Sequence, residues 1–193
     1  MRRLAPALVA AACLVGCDRG VDADDAKAYF TALEAQTEYV VNKANGICAD
    51  SSALSQHAAI QGLLRDLNQY RIDFEGQMRC TQKDQCAAPD KKATPPPVFR
   101  AEPGAPDPKG AELSKATFAR LRSLVAGKPP KPFRDKLLLC QTEAMAVAAS
   151  AAVLVTKCTT QPGSEAHKLE QARLAGAQKS FAEAMKQARS AVP

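Results

Sequence analysis

Between Ala87 and Gly110 the chain is dominated by Pro, Lys, Ala and Gly, with Thr94-Pro95-Pro96-Pro97 and Pro103-Gly104-Ala105-Pro106 at its heart. Proline locks its own φ, lacks an amide donor and disfavours helical geometry in the residue before it, so neither a helix nor a central strand can run through this stretch. Any core must be assembled from the segments on either side, joined by a long connection. Those segments suffice for one globular domain, because 46% of the 193 residues are apolar and 24% are charged.

The flanking segments carry helical periodicity. After Asp22, Asp24 and Asp25, which supply an N-cap and first-turn negative charge, apolar positions recur at spacings of three and four from Ala26 through Tyr29, Phe30, Leu33, Val40 and Val41 to Ala44. This predicts a helix ending near Gly46. A second follows Asp50-Ser51-Ser52, with Ile60, Leu63, Leu64, Leu67, Tyr70, Phe74 and Met78 on one face, and the two read as an αα-hairpin. Beyond the proline segment come a short helix over about 111–126, with Gly127 as its C-cap, and a long one entered through Pro132. The uncharged run Ala144 to Thr156 is too short to span a bilayer and reads as the central buried helix. A last helix starts after Gly163-Ser164, with a narrow, alanine-rich apolar face.

Four of these segments are about 24 to 29 residues long, or roughly 35 to 43 Å at 1.5 Å per residue, and matched lengths pack together. The expected fold is therefore all-α: an antiparallel four-helix bundle with an extra short helix and a long Pro-rich connection at 87–110, stapled by disulfides, in one domain over 22–193.

The N-terminus carries an address. Met1-Arg2-Arg3 precedes an apolar run from Leu4 to Val15, the pattern of a secretory signal. The end of that run, Leu14-Val15-Gly16-Cys17, resembles the lipobox of bacterial lipoproteins. The resemblance implies removal of residues 1–16, acylation of Cys17 and a lipidated tether over 17–21. More than one acyl chain is needed for a lasting anchor. Asp18 in the next position resembles the inner-membrane retention signal of enteric lipoproteins, which implies the periplasmic face of that membrane.

Cysteine and charge usage agree with an oxidising compartment. Once Cys13 leaves with the signal and Cys17 is acylated, Cys48, Cys80, Cys86, Cys140 and Cys158 remain as disulfide candidates, an odd number that leaves one unpaired. Cys48 and Cys80 flank one helix, and Cys140 and Cys158 lie about 27 Å apart along another, so neither pair can bridge if those helices are unbroken. The expected alternatives are two ties from the hairpin to the central helix, or Cys80 to Cys86 locally plus one such tie. Residues 18–50 are acidic and 87–135 basic. An acidic segment beside the anchor is expected to hold the domain off the membrane, with the basic stretch facing elsewhere.

No reaction is legible. The Glu-x-x-His pairs of di-iron bundles are absent, and the cysteine spacings fit neither paired zinc ligands nor haem attachment, so no cofactor or metal is expected. His57 and His167 read as surface histidines, and Glu143 as a lone acid within an apolar helix. The few aromatic residues, 5% of the chain with no Trp, disfavour stacking on nucleic acid. What remains is surface: Lys115, Arg120, Arg122, Lys128, Lys131 and Arg134 crowd the short helix and the connector after it, with Phe118 and Phe133 interleaved, a candidate partner-binding patch. The expectation is a non-enzymatic protein-binding module of the envelope, foremost an inhibitor or immunity-type protein that occludes a toxin or hydrolase. The alternative is a scaffold or accessory lipoprotein of a secretion or cell-wall machine.

Overall fold

The computed structural model describes residues 20–49, 57–83, 86 and 108–192. The expected signal, the lipobox-like Leu14-Val15-Gly16-Cys17 and most of the proline segment lie outside them. Five helices account for 89% of what is described: α1 (Ala23–Ala49), α2 (His57–Lys83), α3 (Pro108–Ala126), α4 (Lys131–Thr160) and α5 (Glu165–Arg189). The disulfide-stapled helical bundle expected from the periodicity is present.

Local chemistry accounts for most helix ends. Asp22 caps α1, its Oδ1 accepting from the amides of Asp24 at 2.9 Å and Asp25 at 3.0 Å. The Ser164 hydroxyl caps α5 by accepting from the His167 amide at 3.1 Å, after a turn in which Gly163 adopts φ +72°. Pro132 occupies the first turn of α4, where its missing donor costs nothing.

Three ends differ from the sequence reading. Helix α1 runs through Gly46 to Ala49, because Ile47 and Cys48 pack against the core and Cys48 is bonded to α4. Tertiary contacts there outweigh the roughly 1 kcal/mol that glycine costs inside a helix. Helix α3 starts at Pro108, taking in the last residues of the proline segment, since proline is tolerated at a helix start. The left-handed residue after α3 is Lys128, at φ 49°, in place of Gly127, with its amide donating to Val125 O at 2.9 Å.

Packing assigns the helices unexpected roles. Helices α1 and α2 each pack against both α3 and α4, closing a ring in the order α1, α3, α2, α4. They meet each other only slightly, so they sit across the ring and do not form a packed hairpin. The short helix α3 belongs to the ring because seven of its residues, from Gly110 to Val125, form a wide buried stripe. Helix α5, with its narrower face, lies mainly on α4.

Directions follow from cross-helix pairs. Tyr29 meets Gln77 while Lys43 meets Asp66, so α1 and α2 are antiparallel. Asp25 meets Ser123 while Gln36 meets Ser114, so α1 and α3 are antiparallel too. Helices α1 and α4 run parallel, with Phe30 against Phe133 near their starts and Cys48 bonded to Cys158 near their ends. Helices α2 and α3 therefore also share a direction. The chain between them has to return the length of α2, about 40 Å, which a connection of roughly two dozen residues can cover.

Helix α4 is long and apolar enough to cross a membrane by composition, but it packs against α1, α2 and α5. It contributes Phe133, Leu137, Val147, Leu154 and Val155, all at most 3% exposed, to a core shared with Tyr29, Phe30, Leu67 and Phe74. Its alanines Ala144, Ala148 and Ala151 are fully buried and let neighbouring backbones approach closely.

Candidate functional site

The core of the ring holds a chain of polar side chains that the hydropathy pattern does not announce. Gln141 Nε2 on α4 donates to the Tyr29 hydroxyl at 2.9 Å and to Thr81 Oγ1 at 2.9 Å. Tyr29 donates to Gln77 Oε1 at 3.0 Å, Gln77 Nε2 to Gln36 Oε1 at 3.4 Å, and Gln36 Nε2 to Ser114 Oγ at 2.8 Å. Ser114 hydrogen-bonds Asp73, whose Oδ1 also accepts from Gln69 Nε2 at 3.0 Å. Apart from the side branch to Thr81, each donor points along the chain toward the carboxylate, and the chain touches all four ring helices. Gln36, Gln77 and Gln141 are fully buried.

This chain selects a register. A buried polar atom without a partner costs about 1 to 3 kcal/mol, so sliding any ring helix by a turn would strand several at once. Burial raises the Asp73 pKa, opposed by its bonds to Ser114 and Gln69, and burial raises that of Tyr29 beyond the phenolic range. Gln141 Oε1 is buried without a hydrogen-bond partner at the chain's far end. The signal available in sequence was Gln36 and Gln77 standing in phase with Leu33, Val40 and Phe74 on apolar stripes.

The cysteines resolve into the second expected arrangement. Cys48 and Cys158 are bonded with Cα atoms 5.5 Å apart, Cys80 and Cys86 with Cα atoms 4.4 Å apart, and Cys140 is the spare thiol. Burial pushes the Cys140 thiol up to about 12, so it holds almost no thiolate near neutral pH and is inert while folded. A ring nitrogen of His167 lies within 4.8 Å of the Cys48 and Cys158 sulfurs, a spacing that could suit a metal. Two facts oppose that use. The disulfide consumes both thiolates, and His167 Nδ1 accepts from the Gly163 amide at 3.1 Å, which leaves the proton on Nε2, the buried atom without a partner.

The predicted basic patch is divided. Phe118 and Phe133 are 4% and 3% exposed, so the aromatics between the charges are core residues and cannot anchor a partner. Arg120 and Arg122 are about 200° apart around α3 and flank its buried stripe on opposite sides. Lys115 lies farther up the helix. Lys128, Lys131 and Arg134 cluster at the turn into α4, where Lys131 pairs with Asp135 at 2.7 Å. The other sequence candidates contribute no site. Glu143 is half-buried at the rim of a groove between α4 and α5, and the side chain of His57 lies outside the described residues.

The outward side of α4 was not anticipated. Leu139 and Val153 are each 40% exposed, and Ala146 stands midway between them at a spacing of seven. Thr142, Ala149 and Thr156 fill the intervening positions, so an uncharged seam follows the helix. Beside its start lies the α4–α5 groove, about 330 Å³, lined by Leu139, Glu143, Lys179, Glu183 and Gln187. No protein-family model, curated protein or solved structure matches the chain.

Proposed function

We propose that this chain is a lipid-anchored, periplasm-facing protein-binding module, of the inhibitor or immunity type, that neutralises an envelope-targeting toxin or hydrolase by occlusion. The observation that carries the binding reading is the uncharged seam of α4, where Leu139 and Val153 are exposed and Ala146 is half-buried between them, on a helix that otherwise packs against α1, α2 and α5. Its spacing suits an apolar partner helix or loop laid along it. Two disulfides fit an oxidising compartment, and the lipobox-like Leu14-Val15-Gly16-Cys17 supplies the address. The seam replaces the divided basic patch as the primary contact.

Affinity capture from the native envelope tests this reading, with Ala146→Glu as comparator. The expected outcome is recovery of an envelope hydrolase whose activity falls on adding the protein, at least tenfold weaker retention by Ala146→Glu, and an unchanged melting temperature of that variant. Equal retention by both forms, or a retained hydrolase that stays fully active, overturns it.

A further inference from the structure

We infer that the end of the bundle at which the chain enters is a docking surface for anionic phospholipid headgroups, an inference that rests on the lipid-anchor reading of Cys17. The exit of the chain is pinned there: Val21 packs against the core and Asp22 caps α1. Three residues beyond Gly20 is Cys17, at most about 10 Å away when fully extended. An acylated Cys17 thus holds this end within about one Debye length of the bilayer, where charges act on headgroups.

The tips of α3 and α4 share that end. Ser123 Oγ donates to Asp25 Oδ2 at 2.7 Å, and the Phe30 and Phe133 rings stand 6.2 Å apart. Residues 120–136 carry Arg120, Arg122, Lys128, Lys131, Arg134 and Lys136 against Asp135 alone. Of the acids at the start of α1, Asp22 serves as the cap and Asp25 accepts from Ser123, while Asp24 is exposed and lies 4.0 Å from Lys27. Counting them and Lys27, the start of α1 and residues 120–136 together carry seven basic and four acidic groups, net +3. The sequence expectation that the basic stretch faces away from the acidic start does not hold for its described part: the fold places the two at one end, where positive charge prevails. The bundle then stands on its end with the α4 seam facing sideways.

The full mature lipoprotein tests this in vesicles of phosphatidylcholine alone or with one quarter phosphatidylglycerol. A water-soluble amine-acylating reagent with peptide mass analysis reports the accessibility of each lysine. Expected is a slowing of at least about fivefold at Lys128 and Lys131 in the anionic vesicles, reversed by high salt, with Lys157 and Lys168 at the opposite end unchanged. Arg122→Glu with Lys128→Glu should abolish the protection of Lys131 while leaving the circular dichroism intact. Equal labelling in both vesicles, on a chain whose mass confirms acylation, overturns the docking and spares the anchor. A mass without acyl chains overturns the anchor and the docking argument with it.

Discussion

The ring of α1 to α4 and the outer helix α5 solve the same packing problem differently. The ring is bound by polar bonds inside its core, from Gln141 through Tyr29, Gln77, Gln36 and Ser114 to Asp73, and by a disulfide across 110 residues. Helix α5 meets the rest through Leu174, Phe181, Ala184, Met185 and Ala188, with an exposed ion pair from Arg189 to Glu34 at 2.6 Å. An exposed pair is worth under about 1 kcal/mol, and alanine contacts are easily slid, so α5 takes its position from the short 161–164 turn and a few large side chains. Directional bonds specify the ring, whereas apolar area and a short loop specify α5.

The largest effect should come from the long disulfide. Replacing Cys48 and Cys158 by Ser removes a constraint on the unfolded chain worth about 5 kcal/mol, against about 2 for the short Cys80–Cys86 loop. Denaturant titration of the two double variants should keep that order, and an equal loss would place the stabilisation elsewhere. Next comes Gln77→Leu, which leaves the Tyr29 hydroxyl without its acceptor and Gln36 Oε1 without its donor, at about 2 to 3 kcal/mol. Adding Gln36→Leu should recover part of the loss, as a broken chain is worse than a shorter one. Additive losses would show the two glutamines to be independent.

A smaller and more local effect is expected from Ser164→Ala, about 1 kcal/mol. Native-state hydrogen exchange should quicken in α5 and leave the centre of α4 unchanged, because among the described residues α5 makes no polar tie to the core of the ring. Acceleration in both helices would mean that they open as one unit. The least effect concerns pH. Burial raises the folded pKa of Asp73 above its unfolded value, so the folded state takes up its proton first as pH falls. Asp73 therefore contributes more stability as pH drops from neutral through the folded pKa, and nothing further below the unfolded one. Asp73→Asn should remove that rise, seen as a flatter dependence of the denaturant midpoint on pH between about 7 and 4; an unchanged slope would refute the assignment.

Much of this architecture was legible from spacing. The recurrence of Ala26, Tyr29, Phe30 and Leu33, the caps at Asp22 and Ser164, and the alanine run of α4 follow from local rules, as does the exclusion of Cys140–Cys158 by helix rise. The end of α1 was misread because Gly46 is a poor helix former by propensity, and the bond from Cys48 to α4 lies 110 residues away in sequence. The patch was misread for a related reason: Phe118 and Phe133 sit between charges along the chain, but the helical turn sends rings inward and charges outward.

Sequence alone determined which segments are helices and which thiols could not pair, because periodicity and rise depend on near neighbours. Only the tertiary structure decided that α1 and α4 run parallel, that α3 completes the ring while α5 lies outside it, and that an acidic start and a basic turn share one end. Those outcomes depend on which faces meet across the core, where burying paired glutamines and filling volume around Tyr29 and Phe74 discriminate between arrangements that local rules leave equal.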